Sequence, residues 1–410
     1  MDNLSHTVAG LAAGELLHRI LAPETKPEDT RTRHRLLLTT AALASNFPDL
    51  DLVLTPLLPA PLGYLLHHRG HTHTIVYALP QMLLLASVLL ACWRSARQLV
   101  MHSRSARAGF LIALAAGFSL HLAMDYLNSY GLHPFHPFDS RWRYGDMVFI
   151  LEPMFWVTLG LPMALMIPRR TLRILLILLL LGVPLYFTLQ SYLVWFSLLG
   201  LYAVAALLSV AHCRTRRGVT VAAGMLVIFI GGQAAASYEA ERGVREVLLA
   251  QHRGTRVHDI ALTAFPANPL CWAFASVDSD EEQGVYRLNR GIASIAPGVL
   301  PAKDCPASLN PARNAVPGGV IIIGTAHGSL AELRDMKREN CFFDAWLRFA
   351  RIPLLVNNEA IDLRFASTPN GNFTAIQLQD LRSEACPETV PRWDYPRRDL
   401  IDRAPPPGDA

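Results

Sequence analysis

Charged residues are scarce in this sequence. Only 17% of its 410 residues are Asp, Glu, Lys or Arg, whereas 51% are hydrophobic. The Lys and Arg residues are scattered over short loops without interleaved aromatic residues, which argues against a nucleic-acid interface. The N-terminus begins Met1-Asp2-Asn3 without a basic region, and Glu15 and His18 interrupt its apolar stretch. We therefore expect no cleavable signal peptide.

Apolar runs of about 20 residues, the length that crosses a bilayer, fill the first 237 residues. We predict eight membrane segments, at residues 4–22, 36–54, 75–93, 109–126, 147–167, 172–190, 192–212 and 219–237. After residue 237 no run is long enough to span. The predicted fold is a mainly α, polytopic membrane helix bundle over 1–237, followed by an extramembrane α+β or β-rich domain over 238–410.

Alternating apolar and polar residues predict strands in the second region, at 257–265, 271–277, 285–289 and 360–365. Residues 342–350 have the spacing of a short amphipathic helix. This domain is long enough to have its own core, and we expect it to cap a site on the membrane region.

Every second loop between the predicted segments is basic, and the positive-inside rule places such loops in the cytoplasm. The N-terminus and residues 238–410 are then expected outside the cytoplasm. Cys92 and Cys213 fall at cytoplasmic ends. The other four cysteines allow two disulfides in three connectivities, or four unpaired thiols: Cys271, Cys305, Cys341 and Cys386.

Four groups of polar residues lie at the predicted outer ends of the segments. They are His6, the turn at 46–51, the stretch at 67–74, and the pair His121 and Asp125. The charge argument does not require that they share a face. Their coincidence predicts one common site.

The residue types of this predicted site are those of metal ligands. His121 and Asp125 are four apart, so on a helix they share a face, and ionisable groups inside a membrane segment mark a functional site or a helix-pairing partner. Asp49 and Asp51 follow Pro48 and either chelate a metal or are solvated acids.

The stretch at 67–74 reads His-His-Arg-Gly-His-Thr-His-Thr. Imidazole is the commonest metal ligand, and we assign His68 and His73 to the site, with His67 and His71 as extra residues. Arg69 suits a phosphate or carboxylate, or else it anchors a lipid headgroup or pairs with a nearby Asp. Thr72 is placed to orient a neighbouring imidazole.

Four motifs within the first 155 residues resemble, in order, those of the bacterial inner-membrane metal-dependent hydrolases, a family that includes a LexA-regulated member. Two positions depart from the family pattern, Glu152 in place of the commoner Asp and Thr74 in place of Ser. The motifs are Leu4-Ser5-His6-Thr7-x-x-Gly10, Pro48-Asp49-Leu50-Asp51, His68-Arg69-Gly70-x-Thr72-His73 and His121-x-x-x-Asp125-x-x-Asn128-x-Tyr130-Gly131.

These observations together predict a membrane-embedded metallohydrolase that acts on a lipid or an anionic cell-envelope ester at the outer face. Mixed His and carboxylate ligands favour Zn, and Mn and Fe are also compatible. Asp51 is a bridging ligand or the general base, and Arg69 neutralises an anionic group. The alternative is a non-enzymatic transporter or metal-binding scaffold. The expected metal ligands are His6, Asp49, His68, His73, His121 and Asp125.

Overall fold

The computed structural model describes residues 1–215, 217–251, 254–311, 318–356, 358–365, 372–378 and 385–402. The chain is helical as far as residue 251 and continues into antiparallel sheets. The helices of the first part are α1 (Asn3–Ile20), α2 (Pro27–Ala44), α3 (Leu62–His67), α4 (Ile75–Cys92), α5 (Arg94–His102), α6 (Arg104–Tyr126), α7 (Pro153–Phe155), α8 (Leu161–Leu165), α9 (Arg170–Leu189), α10 (Trp195–Thr215) and α11 (Gly218–Gln251).

Helices α1 and α6 both pack against α2, and glycines allow the close approach. A Cβ atom on Gly10 of α1 would lie 2.5 Å from the carbonyl oxygen of Ala41, and one on Gly117 of α6 would lie 2.4 Å from Cβ of Ala44. Small residues at such crossings let helix backbones come together in a membrane. The packing brings the N-terminal end of α1 to the C-terminal ends of α2 and α6.

Within the described residues, five helices are long and apolar enough to cross a membrane, namely α4, α6, α9, α10 and α11. The predicted count of about eight segments is not confirmed. The predicted segment 36–54 divides, because α2 ends at Ala44 and a 3-10 helix with Pro48 in its first turn follows as Phe47–Leu57. The segment predicted at 147–167 contains a shorter apolar helical stretch, Pro153–Leu165.

The second part is built on a four-stranded antiparallel sheet in the order β1-β2-β3-β4, formed by Arg256–Phe265, Asn268–Asp280, Val285–Ser294 and Val320–Ser329. A three-stranded sheet, β5-β6-β7, is formed by Pro353–Val356, Glu359–Asp362 and Ile376–Gln377. Three helices accompany them, α12 (Leu330–Glu339), α13 (Cys341–Leu347) and α14 (Arg398–Ile401). The predicted fold class is therefore confirmed as a helical region followed by an antiparallel sheet domain.

The sheet domain is anchored on the helical region by buried contacts. Helix α11 runs 34 residues and passes the boundary expected at residue 237. The indole N–H of Trp393 donates to the carbonyl oxygen of Leu66 at 2.8 Å. Arg351 pairs with Asp146 of the helical region and Asp259 of β1, each at 2.7 Å. The two parts share one hydrophobic core.

The four cysteines of the sheet domain form two disulfides, Cys271–Cys305 and Cys341–Cys386. One of the three possible connectivities is thereby selected, and the alternative of four unpaired thiols is wrong. Within the described part of the chain, Cys92 and Cys213 are free and exposed.

Candidate metal centre

The stretch 67–74 forms a compact turn between α3 and α4. Arg69 has a φ of 59°, a left-handed conformation that costs free energy for a residue with a side chain. Its backbone N–H donates to Oδ2 of Asp51 at 2.9 Å, which holds the turn in place. A 3-10 helix, His71–His73, follows, and the hydroxyl of Thr74 caps α4 by accepting from the N–H of Tyr77. His68 and His73 therefore both face the Asp49–Asp51 turn.

Asp51 is the organising carboxylate of this turn. Its side chain is buried and accepts hydrogen bonds from the hydroxyl of Thr72 at 2.8 Å and from Nδ1 of His68 at 3.0 Å. Nδ1 of His73 lies 3.2 Å from Oδ2 of Asp51. Burial opposes ionisation, but these imidazole contacts outweigh it and hold the pKa of Asp51 well below its usual range. Asp51 is therefore a carboxylate surrounded by donors.

His121 and Asp125 project from the same face of α6 into the space beside this turn. Nδ1 of His121 donates to the carbonyl oxygen of Ser45 at 2.8 Å, so the lone pair of this imidazole is on Nε2. In the same way, Nδ1 of His73 donates to Oδ2 of Asp51. The two Nε2 atoms face each other at 2.9 Å. A shared proton or a bound cation between the two nitrogens would satisfy this separation.

Four ligand atoms surround that space: Nε2 of His73, Nε2 of His121, Oδ1 of Asp49 and Oδ2 of Asp125. The distances from the two Nε2 atoms to each other and to the two carboxylate oxygens run from 2.9 to 3.7 Å. A tetrahedral zinc with bonds of about 2.0–2.1 Å would separate its ligand atoms by about 3.4 Å. The spacing and chemistry of the donors therefore fit one divalent cation. We call these four residues the closed subsite.

A second group shares one of those residues. Asp49, Asp51 and His68 also present ligand atoms within 4.8 Å of one another. We call this group the open subsite, because the His68 side chain is 11% exposed and that of Asp49 is 9% exposed. Six of the predicted site residues therefore lie in one place, five of them assigned as ligands.

His6, the sixth predicted ligand, lies beside the closed subsite. Its ring stacks on His121 with centroids 4.1 Å apart, and its Nε2 is 3.2 Å from Oδ1 of Asp125. The N-terminal amino group of Met1 also contacts this carboxylate. His6 belongs to neither ligand group and is placed to orient Asp125 and His121.

Arg69 lies against the same carboxylate from the other side. Its Nε is 3.0 Å from Oδ2 of Asp125, and Nη1 donates to Oδ1 of Asn128 at 2.9 Å. The guanidinium carbon lies 4.9 Å from the ring centre of Tyr130. Among the described residues, no hydrogen-bond partner lies against the amide nitrogen of Asn128 or the hydroxyl of Tyr130, although both atoms are buried. Polar donors thus line one wall of the site.

The mouth of the site is bordered by aromatic and apolar side chains. Tyr64 stacks on His68, and Phe373 from the sheet domain contacts the edge of Tyr64. Leu50 and Val53, on the 3-10 helix that carries Asp49 and Asp51, are 56% and 75% exposed. The open subsite therefore adjoins an apolar surface.

Other residues of the sequence prediction lie elsewhere. His71 contacts Trp393 of the sheet domain rather than the ligand groups. Asp146 and Glu152 lie at the domain junction: Asp146 pairs with Arg351, and the Glu152 carboxylate accepts the backbone N–H of Ala267. Sequence reasoning missed the carbonyl of Ser45, because a backbone acceptor has no residue-type signal.

Residues 1–195 match the family model of the YdjM inner membrane protein. This part of the chain is similar to the YdjM family. The expected resemblance to the LexA-regulated membrane hydrolases is thereby confirmed over 195 of the 410 residues. The matched residues, 1–195, include both ligand groups. The protein is a membrane protein with transmembrane helices. No curated protein and no solved structure matches the chain.

Proposed function

We propose that this protein is a membrane-bound hydrolase that uses a divalent metal to cleave a phosphoester of a lipid or cell-envelope substrate. The observation that carries the proposal is the set of four buried donor atoms in the closed subsite, with two imidazole lone pairs and two carboxylate oxygens directed at one point. A divalent cation held at this centre with a coordination position left for water would lower the pKa of that water towards neutrality and supply a nucleophile.

The surrounding side chains hold the ligands in position. Ser45 and Asp51 receive the Nδ1 protons of His121 and His73, which orients both rings and keeps their Nε2 atoms available. Asp51 also accepts from Thr72 and Arg69. Because hydrogen-bond donors already lie against its carboxylate oxygens, Asp51 is poorly placed to accept a proton from water. We therefore assign it a ligand and positioning role in preference to that of general base.

An anionic substrate is supported by the polar groups beside the ligand residue Asp125. Arg69 offers a permanent positive charge, and the amide of Asn128 and the hydroxyl of Tyr130 are polar atoms without partners in the described structure. A phosphoester carries the negative charge and the acceptor oxygens that such groups bind. The exposed Leu50 and Val53 beside the mouth favour a lipid as the remainder of the substrate.

We place the site at the outer face of the inner membrane, with the sheet domain in the periplasm. Two disulfides in the sheet domain support this orientation, because disulfides persist in oxidising compartments. Zinc is the cation we favour, since the ligand spacing suits tetrahedral coordination by His and carboxylate, and Mn and Fe accept the same ligands.

The proposal is tested by the metal content of protein purified in detergent. We expect stoichiometric metal in the wild type and its loss in His73→Ala and His121→Ala. His102→Ala, which removes an exposed imidazole on α5, is the matched control and should keep the metal. Folding is checked for each variant by helical circular dichroism and gel filtration.

The metal-loaded protein is then assayed on phospholipids and on neutral carboxylic esters in vesicles. Hydrolysis of the phosphoester, lost in His73→Ala, would support the assignment. A wild type that binds no Zn, Mn or Fe after reconstitution would overturn it and favour a scaffold or transporter whose His and Asp residues pair helices.

A further inference from the structure

We propose that the centre holds two divalent cations bridged by Asp49, one in the closed subsite and one in the open subsite. The inference rests on the proposed metal-dependent function and extends it. Asp49 is the residue that the two ligand groups have in common. The bridged pair would act on a phosphoester, the substrate class for which two-cation centres are suited.

The closed subsite alone has no room for a substrate. Four protein ligands complete a tetrahedral zinc, and such sites are structural, whereas catalytic sites keep a position for water or substrate. His73, His121 and Asp125 are fully buried. A reaction at this centre therefore needs a cation with fewer protein ligands and access to the mouth.

The open subsite has both properties. Asp49, Asp51 and His68 supply three protein ligands, and His68 is the most exposed residue of the centre. Oδ1 of Asp51 lies 3.0 Å from Nδ1 of His68, a separation compatible with two ligands of one cation. The other oxygen, Oδ2, accepts from the backbone of Arg69 and the hydroxyl of Thr72 and keeps the carboxylate oriented.

The 3-10 helix gives Asp49 its bridging position. Nε2 of His73 and Nε2 of His121 lie 3.4 and 3.7 Å from Oδ1 of Asp49, and in the proposed pair the other oxygen of Asp49 would bind the second cation. Asp51 is two residues further along the same helix and faces His68. A carboxylate with one oxygen at each subsite is the usual bridge between two cations.

The experiment is a cobalt(II) titration of the full-length protein in detergent, followed by metal analysis, visible absorption and electron paramagnetic resonance. We expect two cobalt ions per chain in the wild type, with exchange coupling through Asp49. His68→Ala should bind one uncoupled cobalt with the visible spectrum of a tetrahedral site. Asp49→Ala should weaken both sites, and His102→Ala should behave as wild type.

Inorganic phosphate supplies a second measurement that does not require activity. Phosphate should change the spectrum of the dicobalt wild type and leave that of His68→Ala unchanged, because it enters the open subsite. The number of cobalt ions bound by the wild type tests the bridged pair even if a variant fails to fold.

The outcomes separate this inference from the function on which it rests. One cobalt per chain in the wild type, retained in His68→Ala and lost in His121→Ala, would overturn the bridged pair and leave a single cation in the closed subsite; His68 would then be a hydrogen-bond donor to Asp51. No cobalt in the wild type would overturn the metal-dependent function itself.

Discussion

The carbonyl oxygen of Ser45 accepts a hydrogen bond from Nδ1 of His121 at 2.8 Å. This contact joins the residue after α2 to the C-terminal part of α6 and selects the tautomer that presents Nε2 of His121 to the other ligands. The ligand arrangement therefore depends on the register between two helices. The close approach of α6 to α2 at Gly117 sets that register.

Gly117→Ala should disturb both packing and metal binding. The added methyl group would lie 2.4 Å from Cβ of Ala44 and 3.0 Å from the backbone nitrogen of Ser45. Overpacking of this kind costs about 1–3 kcal/mol. We expect lower thermal stability in detergent and weaker zinc binding. Gly224→Ala is the control, because a Cβ atom there meets nothing within 4 Å among the described residues. Equal stability of the two variants would contradict the assigned helix contact.

Thr72→Val should weaken metal binding without removing a ligand. The hydroxyl of Thr72 donates to Oδ2 of Asp51 at 2.8 Å and steadies the carboxylate that orients His68 and His73. Loss of such an outer contact lowers metal affinity by about 10–100-fold. Competition with a chromophoric chelator measures the change. Thr55→Val, which removes a hydrogen bond to Leu52 on the same 3-10 helix, should leave the affinity unchanged.

Glu152 should make stability fall as the pH rises. Burial raises the pKa of Glu152 to about 8 in the folded protein, from an ordinary value of 4.5. Between these two values the folded state keeps a proton that the unfolded state releases, so the free energy of unfolding decreases as the pH rises. Above the folded pKa both states have released this proton, and Glu152 causes no further decrease.

The measurement for Glu152 is the melting temperature from about pH 6 to about pH 9, spanning the folded pKa. Glu152→Gln is uncharged and keeps an acceptor for the N–H of Ala267, so its melting temperature should fall less over this range. Glu239→Gln changes an exposed glutamate on α11 and should follow the wild type. Parallel curves for wild type and Glu152→Gln would refute the assigned titration.

Each disulfide should stabilise the sheet domain substantially. The bonds Cys271–Cys305 and Cys341–Cys386 close loops with sequence separations of 34 and 45 residues. Loop-closure entropy predicts about 4 kcal/mol for either bond. We expect the paired substitution of Cys271 and Cys305 by Ser to lower stability, and the same change at the free Cys92 and Cys213 to have little effect. Peptide mapping without reduction checks the pairing, and a mixed connectivity would contradict it.

Much of the fold is predictable because its signals are local. Alternation in the sequence predicts β1, β2 and β3, since successive strand side chains face opposite sides of a sheet. Strand β4, Val320–Ser329, was missed because its residues do not alternate between apolar and polar. It begins with four consecutive apolar residues and continues with mostly small ones. The predicted count of about eight segments is not confirmed, because hydrophobicity alone does not distinguish a lipid-facing helix from one buried in protein.

The sequence by itself determined which chemistry is available: His and Asp residues at the ends of several apolar segments, on one predicted face. Only the tertiary structure decided how they divide into two overlapping groups with Asp49 in both. It also decided that Asp146 and Glu152 serve the domain junction. The reason is that ligand geometry depends on helix register and on backbone acceptors such as Ser45, and neither is encoded in the spacing of residue types.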